Sequence, residues 1–262
     1  MRCSEIMAKL EELSPVSYAE KWDNVGLLLG RKDKDVHTVM IALDATGAVV
    51  EQAVRMKADL LLTHHPLLFS PLKKICQEDF IGKRLIRLIR NDINYYAMHT
   101  NFDVMGMADA AADELALRNR EVLFVTYEDE LSKEGLGRSG KLPQIMSLKE
   151  CAEYVKRVFH LDRVAVYGDL DRHVEKMAVL PGSGKDEVSF ALASGADVYL
   201  TGDLSHHAGI DAMEQGLCVI DAGHYGTEKF FGEEMKMKLQ KELGKNVEII
   251  ASSVNIDPFK II

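Results

Sequence analysis

Three short segments concentrate the residues able to bind metal or move protons: THHP at 63–66, HTNFD at 99–103 and HYGTE at 224–228. They hold four histidines (His64, His65, His99, His224) and two carboxylates, Asp103 and Glu228. Imidazole and carboxylate without thiolate suit Zn, Fe, Mn, Co or Ni, and disfavour Cu(I) and iron–sulfur clusters. His99 and Asp103 are four residues apart, as are His224 and Glu228. At the start of a helix that spacing turns both members of a pair to one side. His64 and His65 end an apolar run, and Pro66 holds His65 extended. The pattern predicts two imidazoles that point apart, which suits two ions better than one. Two carboxylates leave a pair of divalent ions with residual positive charge, enough to activate water near neutral pH. Singly, each residue has an ordinary explanation, since an i,i+4 pair on a helix is worth only ~0.2–0.5 kcal/mol. All of them together, each segment following a strand, point to metal.

The elements that must position these segments alternate between strand and helix. Strands are expected at 39–43, 59–63, 94–98 and 122–125, with helices at 4–13, 47–57, 80–91 and 108–118. The helix over 80–91 carries its apolar face on Ile81, Leu85, Leu88 and Ile89. A second series follows, with strands at 164–167, 177–180, 197–201, 218–221 and 247–251 and helices at 147–159, 187–194 and 211–215. A long helix runs to residue 243, and Ser147 with Glu150 forms a capping box. Such alternation predicts an α/β fold with mainly parallel sheets, whose ligands collect at the carboxyl ends of the strands. The two series look alike: MIALDATG at 40–47 aligns with MAVLPGSG at 177–184, and ADLLLTHH at 58–65 with ADVYLTGD at 196–203. His99 and Asp103 then align with His224 and Glu228. The expectation is two similar lobes from an internal duplication, over residues 1–126 and 127–262. The metal site would lie in the crevice between them, the polar stretch 127–141 would act as hinge, and the C-terminal helix and strand could pack back on the first lobe.

Bulk properties exclude several classes. The chain has 262 residues, 47% hydrophobic, with a net charge of −9, which argues against nucleic acid as a partner. Four scattered cysteines without a CxxC read as reduced thiols of a cytoplasmic protein rather than a zinc–thiolate site. No apolar stretch is long enough for a membrane span, and no signal peptide is expected. PGSGKD at 181–186 fails the phosphate-loop pattern, since Val179 stands for the first glycine and Asp186 for the Ser/Thr. Trp22 reads as a packing anchor, Asn24 as a candidate for the site edge, and Asp44 as a helix N-cap, with contact to the same crevice as its alternative. His206 and His207 fit either a cavity wall or a helix start.

WDNVGLLLG at 22–30, ADLLLTHHPLLF at 58–69, HTNFD, ADVYLTGDLSHH at 196–207 and DAGHYGTE at 221–228 occur in this order. With them the chain resembles the dinuclear-metal family of GTP cyclohydrolase 1 type 2 homologues, also called Nif-three-like, over nearly its whole length. The resemblance implies one ion on His65, Asp103 and Glu228 and a second on His64 and His224, with Glu228 bridging. It leaves His99 behind the ligands and implies a toroidal homohexamer. It also implies that this chain is a short form without the domain inserted in longer members. The expected activity is metal-dependent hydrolysis of a phosphorylated or nucleotide-like small molecule. Two alternatives stand beside it: a protein that hands metal on, and an interaction scaffold in which metal only adds stability.

Overall fold

A computed structural model describes residues 1–130 and 132–260. Leu131, within the expected hinge, lies outside the described residues. In chain order the elements are α1 (Cys3–Leu13), β1 (Gly26–Leu29), β2 (Thr38–Ala42), α2 (Gly47–Arg55), β3 (Leu60–Thr63), α3 (Phe80–Arg90), β4 (Asn94–Ala97) and α4 (Thr100–Phe102). A π-turn over Asp103–Met107 leads into α5 (Ala108–Glu114), followed by β5 (Arg118–Glu128), β6 (Lys133–Ser147), α6 (Leu148–Val158), β7 (Ala165–Tyr167) and β8 (His173–Ser183). Then come α7 (Val188–Ala193), β9 (Val198–Gly202), α8 (His206–Glu214), β10 (Cys218–Asp221), α9 (His224–Glu228), α10 (Phe231–Leu243) and β11 (Glu248–Ala251).

The chain divides into two compact units, the first made of Met1–Phe102 with Phe230–Ile262 and the second of Asp103–Lys229. The first unit carries a five-stranded sheet in the order β1-β4-β3-β2-β11, parallel except for β1. Its core joins Met40, Leu61, Tyr95 and Ala97 of the sheet to Val49, Val50 and Ala53 of α2 and Leu85 and Leu88 of α3. Unbroken apolar runs such as LLL in β3 are what a strand covered on both faces requires. Thr46 and Asp79 cap α2 and α3 by accepting from the backbone of Val49 and Gly82.

The second unit carries a six-stranded sheet in the order β5-β6-β8-β9-β10-β7. Strands β8, β9 and β10 are parallel, and β7 runs antiparallel along β10. The stretch expected as a hinge is instead a long antiparallel ribbon of β5 and β6, laid along β8. Its polar composition misled because a two-stranded ribbon with one wetted face does not need continuous apolar residues. The capping box of Ser147 and Glu150 forms as expected, whereas α8 begins at His206 rather than 211, capped by Ser205.

The two sheets repeat one topology. β1-β4-β3-β2 in the first matches β7-β10-β9-β8 in the second, including the antiparallel edge strand. Asp59 Oδ2 accepts from the backbone of His37 and Thr38, and Asp197 Oδ2 accepts from Glu175 and Lys176 in the same way. Val39 pairs with Leu60, and Met177 with Val198. Val39 therefore stands where Met177 stands, one residue away from the alignment of MIALDATG on MAVLPGSG. Thr63 pairs with Ala97 and Thr201 with Asp221, so the counterpart of His224 is Thr100, not His99. Residue likeness aligns these segments one step off, whereas the hydrogen-bond ladder sets the true equivalence.

Candidate metal centre

In the first unit the chain bends as it leaves β3, and a buried polar knot fixes the bend. The Thr63 hydroxyl donates to the His65 carbonyl at 2.8 Å and meets the Tyr95 hydroxyl at 2.6 Å. Tyr95 also accepts from the Leu67 backbone at 2.7 Å. Burial pushes the Tyr95 phenol up to about 12, so it stays a neutral donor. The bend ends strand alternation, and the imidazoles of His64 and His65 do not point apart as expected. Their centroids are 4.8 Å apart, and His99 stands 5.2 Å from His64 and 5.5 Å from His65. One ligand atom from each of these three histidines lies within 4.8 Å of the other two.

Each of the three rings is fixed through Nδ1. That of His64 lies 2.8 Å from the Met98 carbonyl, that of His65 2.9 Å from Asp44 Oδ1, and that of His99 2.9 Å from Asp23 Oδ1. A carbonyl or carboxylate can only accept, so Nδ1 carries the proton and Nε2 is the nitrogen able to accept a proton or a cation. Asp23 also accepts from the Thr100 backbone and hydroxyl. Burial works to raise its pKa, but the hydrogen bonds from His99 and Thr100 prevail and hold it at about 2. Of the two readings of Asp44, contact with the site holds, since it partners His65, and Thr46 rather than Asp44 caps α2. His99 precedes α4, so the i,i+4 helical pair expected with Asp103 does not form.

The second unit holds Asp103, His224 and Glu228. His224 opens α9 and Glu228 closes it, so this i,i+4 pair is realised, with Nε2 3.1 Å from Oε2. Nδ1 of His224 faces Asp203 Oδ2 at 2.9 Å. A neutral imidazole has one N–H to donate, so carboxylates on both sides call for one more proton, on the ring or on Glu228, or for a cation between His224 and Glu228. Glycines shape this end: a Cβ on Gly182 (φ +75°) would sit 2.4 Å from Glu228 Oε1, and one on Gly202 2.5 Å from the His224 backbone nitrogen. A carboxylate oxygen of Asp103 lies within 4.8 Å of one on Glu228. Buried Arg138 steadies the π-turn that starts at Asp103, donating to both Asp109 oxygens and to the Val104 carbonyl. π-Turns of this kind recur at functional sites.

Spacing along the chain does not mark Asp23, Asp44 or Asp203 as histidine partners. Only Asp203 had a usable signal, since LTGD aligns with LTHH and puts an acid where His65 stands. His206 and His207 are exposed at the start of α8 with rings 5.3 Å apart. Trp22 is exposed rather than a packing anchor. All four cysteines are free, with Cys3, Cys151 and Cys218 buried. Among the described residues, no helix is long and apolar enough to cross a membrane.

Comparison with known proteins gives consistent matches. The profile of the Duf34/NIF3 (NGG1p interacting factor 3) family covers residues 1–258. A Clostridium acetobutylicum protein named GTP cyclohydrolase 1 type 2 homolog is 36% identical over 265 residues, spanning 99% of this chain and 98% of its own. A solved Bacillus cereus protein related to NIF3 superposes with a TM-score of 0.95 at 29% identity, covering 100% of this chain and 99% of that one. Reduced HcgD from Methanocaldococcus jannaschii superposes at 0.82 with 36% identity, covering 97% of this chain and 98% of its own.

Proposed function

The chain belongs to the DUF34/NIF3 family, and on that footing we propose that it is a cytoplasmic metal-dependent hydrolase with a two-ion centre. His64, His65, Asp103, His224 and Glu228 hold the ions, and the substrate is a phosphorylated or nucleotide-like small molecule. The observation that carries this reading is the fixed orientation of the imidazoles. Four histidines have Nδ1 against an acceptor within their own unit, three of them a carboxylate. That arrangement orients metal-binding histidines and raises their basicity. The donor set fits Zn, Fe, Mn, Co or Ni.

Divalent ions held there would supply Lewis acidity toward a phosphoryl or carbonyl oxygen and a nucleophile from water near neutral pH. The chain's own residues do the rest. Asp23 keeps the His99 proton on Nδ1, leaving Nε2 to take or return a proton during hydrolysis. Asp44 and Asp203 hold His65 and His224 in register, and Gly182 lets the backbone close over Glu228. By family resemblance the working form is a toroidal homohexamer, which sedimentation at several concentrations would test.

Anomalous diffraction from crystals grown with each candidate metal tests the centre. Two peaks bounded by these five side chains support it; peaks elsewhere, or none at saturating metal, refute it. Turnover on phosphomonoesters separates a hydrolase from a protein that only carries metal, in which the ions would exchange quickly with no product formed.

A further inference from the structure

Beside the three histidines of the first unit lies a groove of about 490 Å³. Trp22, Phe69, Leu72, Ile75 and Ile89 line it, with Asp23 and Asn24. Trp22 is the single tryptophan of the chain, and it is 57% exposed beside a 54% exposed Phe69. Ile89, expected on the packed face of α3, is exposed into the same groove. Large aromatic faces left in water next to convergent polar groups are the signature of a ligand site.

The aromatic pair is tied to the histidines. The Trp22 and Phe69 rings lie 5.8 Å apart at 49°, and His99 meets Trp22 edge-on at 6.0 Å and Phe69 at 6.5 Å. Asp23, which orients His99, follows Trp22 directly in the chain and lines the groove itself. Both aromatic segments are anchored: the Glu20 backbone donates to Thr100, Asp23 accepts from Thr100, and the Asn24 amide donates to the Leu68 carbonyl. With the backbone on either side of both rings held in this way, less order remains to be imposed when a ligand stacks on them.

We infer that the groove is a substrate subsite for a planar aromatic ring that stacks on Trp22 and Phe69. An anionic group on the same molecule reaches toward His64, His65 and His99. The inference rests on the hydrolase reading for its polar end and narrows the substrate to an aryl or nucleoside phosphate. A simple sugar phosphate offers no face to stack.

Because Trp22 is the only tryptophan, its fluorescence reads the groove directly. Metal-loaded and chelator-treated protein are titrated with guanosine monophosphate, and with ribose 5-phosphate as the ring-less match. The expected result is saturable quenching by the nucleotide alone. In calorimetry Trp22→Ala weakens nucleotide binding by ~10-fold or more, Trp22→Phe recovers most of it, and ribose 5-phosphate binding and metal content do not change. Equal affinity of Trp22→Ala and the unaltered protein for the nucleotide overturns the inference, even where metal content upholds the two-ion centre. Quenching by the nucleotide in a protein that takes up no metal upholds the subsite and sinks the metal reading. Emission shielded from acrylamide in the oligomer and released on dilution assigns the groove to contact between copies, and overturns the subsite.

Discussion

The two units share a skeleton and divide the chemistry. In each, an aspartate before the middle parallel strand (Asp59 or Asp197) holds the backbone at the start of the preceding strand. At the carboxyl end of the same strands the units differ. The first has His64 and His65, whereas matching positions in the second are Gly202 and Asp203. Where the first has Thr100, the second has His224. Asp203 therefore stands at the place of a histidine and supports another, while His65 takes its support from Asp44 beyond β2. A repeated βαβ frame fixes where side chains emerge, and single substitutions at those exits settle whether a unit supplies imidazoles or carboxylates.

The sharpest break of this division is Glu228→Gln. Glu228 is buried against His224, and the amide removes the charge that would bind a cation there. Mass-spectrometric metal analysis after gel filtration is expected to show near-complete loss of metal. Full retention would remove the second unit from the centre. Next in size are the supporting acids. Asp44→Asn in the first unit and Asp203→Asn in the second should each weaken metal affinity ~10–100-fold by chelator competition. If only one of them does so, the metal chemistry belongs to that unit alone.

Asp23 probes the first unit by pH. Its folded pKa of about 2 lies below the ordinary value of 3.8, so its stabilisation is complete above that value and fades as pH falls through about 2. The contribution is about 2 kcal/mol, measurable by urea unfolding across that range. Asp23→Asn should flatten the acid side of the profile, and an unchanged slope would count against the His99–Asp23 pair. The smallest effects fall on the matched framework acids. Asp197→Asn should destabilise by about 1 kcal/mol and leave metal affinity alone. Asp59→Asn should cost somewhat more, because the buried Lys34 amine lies 3.7 Å from Asp59 and would lose its counter-charge. Equal costs would show that Lys34 draws its balance from Asp92, 3.8 Å away.

From the linear chain alone, periodicity and apolar runs determined the α/β class, the parallel strands β2, β3 and β4 with β8, β9 and β10, and the repeat. They did so because a strand buried on both faces must be apolar throughout. Residue chemistry likewise singled out the histidines and acids, since few other functions call for such a set. The rest follows from long-range hydrogen bonding. The ladder shifted the repeat by one residue, and the β5–β6 ribbon replaced the hinge because its pairing is invisible to local polarity. The bend after β3 brought His64 and His65 side by side. Asp23, Asp44 and Asp203 gained their roles by meeting histidines 76, 21 and 21 residues away in the chain. No spacing rule reaches that far, because a side chain's partner is set by how strands pack and not by its neighbours in sequence.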